Sequence, residues 1–298
     1  MSINKYYFSG LMSFIIWGFM SLAIKPLVDY SPFNILYYRI FFAALVGVIV
    51  YIAFRRKSIL EARKKYAQLL RREKRKFWTY TVLGTLFLMF NWLLFIYVVN
   101  IVNVQTASFA LFMAPIITAF LAYAFLKERI SGWKKIAIFV SFIACVVYYL
   151  AQQGDILYAL LTAFCYSSYV VIQKENNFLP KDFVVVAQMI LMLAFITPYF
   201  ILVDFQVPAE PYFYGWTAVL GIVFTLMTLY LNLYALQGIP ASTVGILLYI
   251  SPIITFGLAI GFFKESVNAL QILSYLLILL AVILFNYTTI KKFSTVIK

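Results

Sequence analysis

Residues 77–126 read FWTYTVLGTLFLMFNWLLFIYVVNIVNVQTASFALFMAPIITAFLAYAFL, a run of 50 residues without a charged side chain. The hydrocarbon core of a bilayer is about 30 Å thick, so one spanning helix needs roughly 20 apolar residues. The run is therefore long enough for two helices, and the polar residues Asn100 and Asn103 mark the break between them. A second uncharged run, 211–263, holds two more helices around a break at 238–240.

The composition excludes most soluble enzyme classes. Hydrophobic residues make up 65% of the 298-residue chain, charged residues make up 11%, and the mean hydropathy is +0.95. The chain has no histidine, which excludes imidazole bases, histidine triads and histidine metal ligands. Its two cysteines, Cys145 and Cys165, lie in apolar runs and cannot form a disulfide framework or a four-ligand zinc site. We therefore expect a membrane protein that is not an enzyme and carries no cofactor or metal.

The uncharged runs predict an all-α integral membrane protein with ten transmembrane helices. The first helix lacks the small-residue cleavage site of a signal peptide, so we interpret it as a retained span. The second span contains Arg39. The predicted spans are 8–27, 32–54, 77–99, 104–126, 133–151, 156–173, 183–203, 214–237, 242–263 and 269–290.

The distribution of basic residues predicts the orientation. Ten helices place both termini on one side of the membrane. If that side is the cytoplasm, its segments carry 21 of the 24 Lys and Arg residues, while the opposite face carries 2. Because positively charged loops stay in the cytoplasm, we expect a multi-pass protein of the cell membrane, plasma or inner, with both termini cytoplasmic.

A basic loop at 55–76 contains 11 of the 24 basic residues and dominates the net charge of +14. Apolar runs flank this loop, so a position beside a membrane explains the charge better than nucleic-acid binding, and we expect no nucleic-acid partner. Two interpretations of the loop stay open. It is either a simple determinant of topology or a cytoplasmic amphipathic helix on anionic lipids.

The chain contains an internal repeat. The sequence PIIT at 115–118 recurs at 252–255, and the Lys-Glu pair at 127–128 recurs at 264–265, both 137 residues later. Chance similarity between apolar helices is the alternative explanation. Near the start of each half the offset is 149, because the basic loop lengthens the first half. The pairs at that offset are Trp17 with Tyr166, Lys25 with Lys174, and Arg39 with Gln188.

The repeat predicts two halves of five helices each, residues 1–151 with the basic loop and residues 152–298. Five is an odd number, so the second half enters the membrane upside down relative to the first. Inverted repeats of this kind are typical of secondary transporters, whose substrate site lies between the halves near the midplane of the membrane.

Five short motifs stand out along the chain: NWLLFIYVVN at 91–100, Ala107-Ser108 with Pro115, KER at 127–129, IPASTVG at 239–245 and YISP at 249–252. Together they resemble the EamA-type drug/metabolite transporters and, more narrowly, their RarD-like branch. The resemblance covers nearly the whole chain. It implies two five-helix EamA repeats around a central cavity and the export of small organic metabolites, such as amino acids or drug-like compounds.

Arg39 is the sharpest candidate for a binding residue. It lies seven residues past Pro32, which is about 10 Å into the membrane at 1.5 Å per residue. An arginine at this depth is costly and normally faces the bundle interior or a watery cavity. We expect it to bind a substrate carboxylate or another anionic group through its fork of donors. The alternatives are that it snorkels to the headgroups or packs on backbone carbonyls.

Two helices carry matched stripes of residues at helical spacing. We interpret their prolines as kinks that line the cavity and help it to gate, since a proline frees a backbone carbonyl. Close helix packing is the alternative for the small residues, and Gly257 with Gly261 forms a GxxxG motif that favours it. The stripes are Gln105, Ser108, Phe112 and Pro115 on the fourth span, and Ser242, Gly245, Tyr249 and Pro252 on the ninth.

Aromatic and polar residues deep in the spans complete the candidate set. Aromatic rings with a polar tip suit amphipathic organic substrates, although ordinary packing explains any single one. All ten acidic residues lie in loops or at helix ends, so we expect no proton coupling through an acid inside the membrane. The candidate substrate-binding residues are Trp17, Tyr38, Arg39, Asn91, Trp92, Tyr97, Ser108, Phe112, Tyr166, Tyr169, Gln188, Tyr234, Ser242 and Tyr249, with Pro115 and Pro252 as gating kinks.

We therefore predict a secondary, non-ATP transporter that exports small amphipathic metabolites by alternating access around a central cavity. Its partners are a small-molecule substrate and the lipid bilayer, and the sequence predicts no particular oligomeric state. A passive channel or a structural membrane protein without carrier activity is the alternative. The sequence shows neither a ring of charged residues nor a filter motif that would favour a channel.

Overall fold

The computed structural model describes residues 3–126, 132–152, 156–203, 207–236, 238 and 247–296, which fold almost entirely into α-helices. The predicted all-α membrane class is therefore confirmed. Six of these helices are long and apolar enough to cross a membrane, and a bent pair at the N terminus forms a seventh span if it is counted as one. Three further apolar helices are shorter, so the count of ten stays a prediction.

The helices follow the chain in a simple order. Before residue 153 they are α1 (Ile3–Gly18), α2 (Met20–Ile24), α3 (Pro32–Phe54), α4 (Arg56–Gln68), α5 (Arg71–Tyr97), α6 (Val104–Leu126) and α7 (Gly132–Gln152). After residue 155 they are α8 (Ile156–Glu175), α9 (Lys181–Leu202), α10 (Pro211–Gly221), α11 (Thr228–Leu236), α12 (Ile250–Gly261) and α13 (Ala269–Val296). Two π-helical segments, Val98–Val102 and Ile222–Met227, follow α5 and α10.

The first predicted span is bent where α1 meets α2. The two helices form an angle of 43°, and the Gly18 carbonyl at the bend accepts a hydrogen bond from Thr255 Oγ1 at 3.0 Å. A Cβ at Gly18 would lie 2.7 Å from the Cβ of Ile254, so glycine is needed for α12 to approach this closely. The uncharged run predicted the span but not its bend.

The start of α3 is fixed by local capping, and it sets the depth of Arg39. The side chain of Ser31 accepts a hydrogen bond from the Phe33 N–H at 3.3 Å, and Pro32 occupies the first helical turn. Both features are typical of helix N-termini. Arg39 therefore lies about two turns inside α3.

The helix contacts form a pattern that maps onto itself when the two halves of the chain are exchanged. α3 packs on α9, α6 on α12, and α7 on α13. The contact of α5 with α8 is matched by that of α11 with α1, and the contact of α6 with α8 by that of α12 with α1. Likewise, α5 with α9 corresponds to α10 with α3.

α3 and α9, which the predicted repeat makes equivalent, run antiparallel. At one end, Arg55 just past α3 forms an ion pair of 3.0 Å with Asp182 at the start of α9. At the other end, Phe33 at the start of α3 stacks on Tyr199 near the end of α9, with ring centroids 4.5 Å apart. The inverted repeat, which stays a prediction, requires such a pair of helices to run in opposite directions.

The basic segment at 55–76 is helical rather than a loop. It comprises α4 and the first turns of α5, separated by a short break in which the Leu70 N–H donates to the Glu73 carboxylate at 2.8 Å. The basic side chains of α4 are exposed, whereas Ala62 is buried. The segment presents a cationic surface at the Arg55 end of α3.

Candidate functional site

Arg39 lies in the interior of the bundle. Its side chain is 1% exposed, and its Nε donates a hydrogen bond to Thr225 Oγ1 at 3.0 Å. The guanidinium carbon lies 4.5 Å from the centroid of the Trp92 ring, a cation–π contact. Nη1 is buried and has no hydrogen-bond partner in the part of the chain that the structure describes. This burial excludes the snorkelling alternative.

The charge of Arg39 is not neutralised by a carboxylate within the described ranges. The ion pairs found there join Arg55 to Asp182 and Lys65 to Glu61. A buried cation without a counter-charge is expensive to keep, because it has lost its hydration shell. Ionisable residues of this kind inside membrane proteins typically belong to a substrate or ion pathway.

A π-helical segment positions Thr225 against Arg39. Thr225 Oγ1 donates to the Leu220 carbonyl, five residues earlier, at 3.0 Å. The carbonyl of the neighbouring residue, Phe224, accepts a hydrogen bond from Trp17 Nε1 at 2.9 Å. Trp17 therefore holds the π-helical segment from the side of α1. Single π-turns are common at functional sites because they re-aim side chains. Sequence reasoning missed Thr225, since an uninterrupted apolar run gives no signal for a π-turn.

Two glycines mark the closest helix approaches beside Arg39 and Gln188. A Cβ on Gly221 would lie 2.5 Å from the Arg39 carbonyl oxygen, and a Cβ on Gly84 would lie 3.0 Å from Gln188 Nε2. The two glycines are 137 residues apart, and the two polar residues are 149 apart. These are the offsets of the internal repeat, so the repeat itself could have identified both glycines.

Asn91 joins two helices rather than facing an open space. Its Nδ2 donates to the Thr162 carbonyl at 2.9 Å. At the corresponding place in the other half, Ser13 Oγ donates to the Thr228 carbonyl at 2.9 Å. Asn91 and Thr228 differ by 137 residues, and Ser13 and Thr162 differ by 149. Asn91 therefore joins two neighbouring helices, and its role in substrate binding stays a prediction.

Tyr38 belongs to an aromatic cluster near the start of α3. Its ring makes edge contacts with Phe200, Phe213 and Tyr214 at centroid distances of 5.8, 5.2 and 5.2 Å. Tyr38 thus contacts α9 and α10, while its neighbour Arg39 contacts Trp92 and the π-helical segment.

A second group of predicted residues lies between α6, α12 and α13. Ser108 Oγ donates to the Pro252 carbonyl at 2.9 Å, which supports the packing interpretation of this small residue. Phe112 and Tyr249 are buried in one hydrophobic cluster, and Tyr166 packs against it.

The GxxxG motif on α12 does not mediate close packing. A Cβ on Gly257 or on Gly261 would meet no atom within 4 Å in the described structure. The predicted contact is therefore wrong there, because this face of α12 is not the face that touches α6 and α1.

The two prolines have different settings. Pro115 lies inside α6, and the adjacent Ala114 carbonyl accepts hydrogen bonds from Ser167 and Thr118, both at 2.8 Å. Pro252 lies in the first turn of α12 rather than near the middle of a helix, and a proline in that position removes no helical hydrogen bond. The preceding residues 239–246, with Ser242 and Gly245, lie outside the described residues.

Glu265 holds the start of another helix. Its carboxylate accepts hydrogen bonds from the backbone N–H groups of Val104 at 2.8 Å and Gln105 at 3.0 Å, at the N-terminus of α6. The chain turns after α12 through Lys264, whose φ of 57° lies in the left-handed region. A carboxylate at a helix N-terminus satisfies orphan donors and complements the helix dipole. The sequence places Glu265, like the other acidic residues, in a loop or at a helix end, and gives no sign of this contact with α6.

The other predicted residues contact different parts of the bundle. Tyr97 packs on Tyr158 at 5.0 Å, and the exposed Tyr234 packs on Tyr6 at 5.0 Å near the N-terminus. A cavity of about 300 Å³ lies between α3, α9 and the π-helical segment, and another of about 450 Å³ lies beside Glu265. Arg39 lines neither of these two cavities.

Comparison with known families identifies the class of protein. A model of the EamA-like transporter family matches residues 4–150 and again residues 154–287. The chain belongs to the EamA-like transporter family. The family predicted from the motifs is thus confirmed, and this EamA-like chain is a multi-pass membrane transporter.

Proteins similar in sequence to this EamA-like transporter are named as transporters or as RarD. The uncharacterized transporter YojE of Bacillus subtilis is 26% identical, covering 94% of this chain and 93% of its own. Protein RarD of Streptomyces exfoliatus is 23% identical, covering 95% of this chain and 88% of its own. A solved crystal structure, 15% identical, covers 94% of this chain and 96% of its own with a TM-score of 0.63, which shows a shared fold. The family and these names indicate a transporter rather than an enzyme.

Proposed function

We propose that this EamA-like transporter is a secondary carrier for small amphipathic metabolites that bear an anionic group such as a carboxylate. The observation that carries the proposal is Arg39, which is buried, lacks a counter-charge in the described chain and leaves Nη1 without a partner. An arginine binds a planar carboxylate through strong, charge-assisted hydrogen bonds. Substrate binding supplies the missing counter-charge, so the site has a physical reason to prefer anions.

Trp92 and Thr225 prepare the guanidinium for this role. The guanidinium lies over the Trp92 ring, and Thr225 Oγ1 accepts a hydrogen bond from Nε. Both contacts restrict the orientation of the fork, which lowers the entropy lost on binding. The aromatic ring also offers an apolar surface to the body of an amphipathic substrate.

The carrier works by alternating access between two inverted halves, residues 1–151 and 152–298, and exports its substrate across the cell membrane. Three observations support this mechanism: the exchange symmetry of the helix contacts, the antiparallel pair α3 and α9, and the two successive family matches. The basic surface of α4 supports cytoplasmic termini and contact with anionic lipids of the inner leaflet.

Counterflow in proteoliposomes tests the proposal. Vesicles loaded with unlabelled amino acids, drug-like carboxylates or neutral aromatic compounds are given the labelled counterparts outside. We expect saturable uptake of an anionic member, lost in Arg39→Gln and retained in Arg63→Gln, which removes an exposed charge on α4. Flux that rises without saturation would favour a channel instead. Equal saturable uptake in Arg39→Gln would refute the role of Arg39.

A further inference from the structure

A second buried polar group lies where α5, α8 and α9 meet. Gln188 on α9 is fully buried, and neither its Oε1 nor its Nε2 has a hydrogen-bond partner within the described residues. Gln173 Nε2 on α8 is also buried without a partner there. A buried amide that makes no hydrogen bond destabilises the folded protein by the full free energy of its desolvation. Two such amides side by side indicate a binding site rather than packing.

Gly84 on α5 makes room for the two amides to converge. A Cβ at Gly84 would lie 2.7 Å from Gln173 Nε2 and 3.0 Å from Gln188 Nε2, and 3.7 Å from Tyr169 Cδ2. Both amides therefore end at the same point on α5, with the Tyr169 ring beside them. A side chain larger than hydrogen at position 84 would fill this space.

The side chains that converge on Gly84 in the described structure, those of Gln173, Gln188 and Tyr169, are uncharged. The nearby cation, Lys181, is already engaged, because its Nζ donates to the carbonyls of Gln173 at 2.7 Å and Asn176 at 2.8 Å. Asn176 in turn donates through Nδ2 to Thr81 Oγ1 at 3.1 Å. A carboxamide offers both a donor and an acceptor, so Gln173 and Gln188 suit an uncharged group with the same two capacities.

Arg39 and Gln188 lie at different depths. The contacts of Arg55 with Asp182 and of Phe33 with Tyr199 fix the register of the antiparallel pair α3 and α9. At 1.5 Å per residue, that register places the two side chains on the order of 10 Å apart along the helix axes. Gln188 is the one nearer to the Arg55 end, which the distribution of basic residues assigns to the cytoplasm.

We propose that Gln188, Gln173 and Gly84 form a second subsite, on the cytoplasmic side of Arg39, which binds a neutral hydrogen-bonding group of the transported molecule, a hydroxyl or a carboxamide. The subsite rests on the proposed transport function. It is the counterpart of the Arg39 site in the other half, since Gln188 and Gly84 match Arg39 and Gly221 by the repeat offsets. One half thus recognises charge, and the other recognises neutral polarity.

Cysteine labelling tests whether the subsite is reached from the cytoplasm. In a background with Cys145 and Cys165 replaced by alanine, Gln188→Cys is treated with a membrane-impermeant methanethiosulfonate in inside-out vesicles. The side chain of the next residue, Met189, is packed in an apolar cluster. We therefore expect labelling of Gln188→Cys and none of Met189→Cys. Absence of labelling at position 188 from both membrane faces would overturn the proposal.

A ligand series tests the chemistry of the subsite independently. Affinities of the purified protein in nanodiscs are measured for linear ω-hydroxycarboxylates of four to ten carbons and for the same acids without the hydroxyl. We expect the hydroxyl to tighten binding about 3- to 10-fold at chain lengths near eight carbons, as one added hydrogen bond allows. This gain disappears in Gln188→Leu and in Gly84→Ala, but not in Gly132→Ala, where a Cβ meets nothing within 4 Å.

The outcomes separate the subsite from the proposed function. A hydroxyl gain that persists in Gln188→Leu, or that is missing from the parent at every chain length, would overturn the subsite even if Arg39→Gln abolishes carboxylate binding. If Arg39→Gln leaves carboxylate binding unchanged, the proposed function fails, while labelling at position 188 and the hydroxyl comparison still decide the subsite.

Discussion

Replacing Arg39 with methionine should stabilise the protein while abolishing its preference for anions. In the folded state the guanidinium gains one hydrogen bond to Thr225 and one contact with Trp92, together worth about 1–3 kcal/mol. Two costs oppose these gains. One is the desolvation of the guanidinium, several kcal/mol in effect, and the other is Nη1, which has no partner among the described residues, about 1–3 kcal/mol. Methionine has a similar length and helix propensity. We therefore expect the free energy of unfolding of Arg39→Met to exceed that of the parent by about 1–4 kcal/mol.

Thermal unfolding in detergent, followed by tryptophan fluorescence, measures this gain. The neighbouring Ile40 is fully buried and apolar, so Ile40→Met serves as the matched control, and a conservative swap of this kind costs less than about 1.5 kcal/mol. Thr225 Oγ1 keeps its hydrogen bond to the Leu220 carbonyl in Arg39→Met, so no new unpaired group arises there. A loss of more than about 2 kcal/mol relative to Ile40→Met would show that Arg39 is held for the fold, and the reasoning would be refuted.

Three further perturbations follow from the contacts. Gly221→Ala should lower the unfolding temperature by several degrees, because its Cβ would meet the Arg39 carbonyl at 2.5 Å, whereas Gly215→Ala, with nothing within 4 Å, should not; equal midpoints would contradict the close contact. Glu265→Gln should cost about 0.5–2 kcal/mol in the same assay, because α6 loses a charged N-terminal cap, and an unchanged midpoint would argue against that cap. The hydrogen bond from Tyr30 lowers the pKa of Glu210 below its usual value near 4.5. The stability that this carboxylate contributes is therefore present above that value and declines as the pH falls through the lowered pKa. Tyr30→Phe should flatten the acid limb of the unfolding profile, and identical limbs in both proteins would rule out this contribution.

The sequence predicts the fold well because hydropathy and charge act over whole segments. The uncharged runs locate the apolar helices, since any backbone group in lipid must bond within its own helix. The uncharged runs do not predict the bend at Gly18 or the π-turn around Thr225, because both depend on which helix packs against them. The apolar run looks the same with or without them.

The candidate site is predicted less completely than the fold. A charged residue inside an apolar span is rare because its burial is costly, so Arg39 can be recognised from the sequence. The structure places it in the interior. Its partners Thr225 and Trp92 come from other helices. The sequence motifs name Trp92 as a candidate, but a stripe or a spacing on one helix cannot pair it with Arg39, and Thr225 gives no signal at all. Asn91 and Ser108 were identified as polar residues in the spans, yet they hydrogen-bond to neighbouring helices. A small polar residue suits both roles equally.

Binding of a carboxylate and of its carboxamide to the protein in nanodiscs tests the central claim most directly. The two compounds have nearly the same shape and differ in charge, so their affinity ratio reports recognition of the anion by Arg39. We predict that the carboxylate binds at least about 10-fold more tightly, as a hydrogen bond to a charged group allows, and that Arg39→Gln abolishes this preference. An equal preference in the parent and in Arg39→Gln would contradict the account.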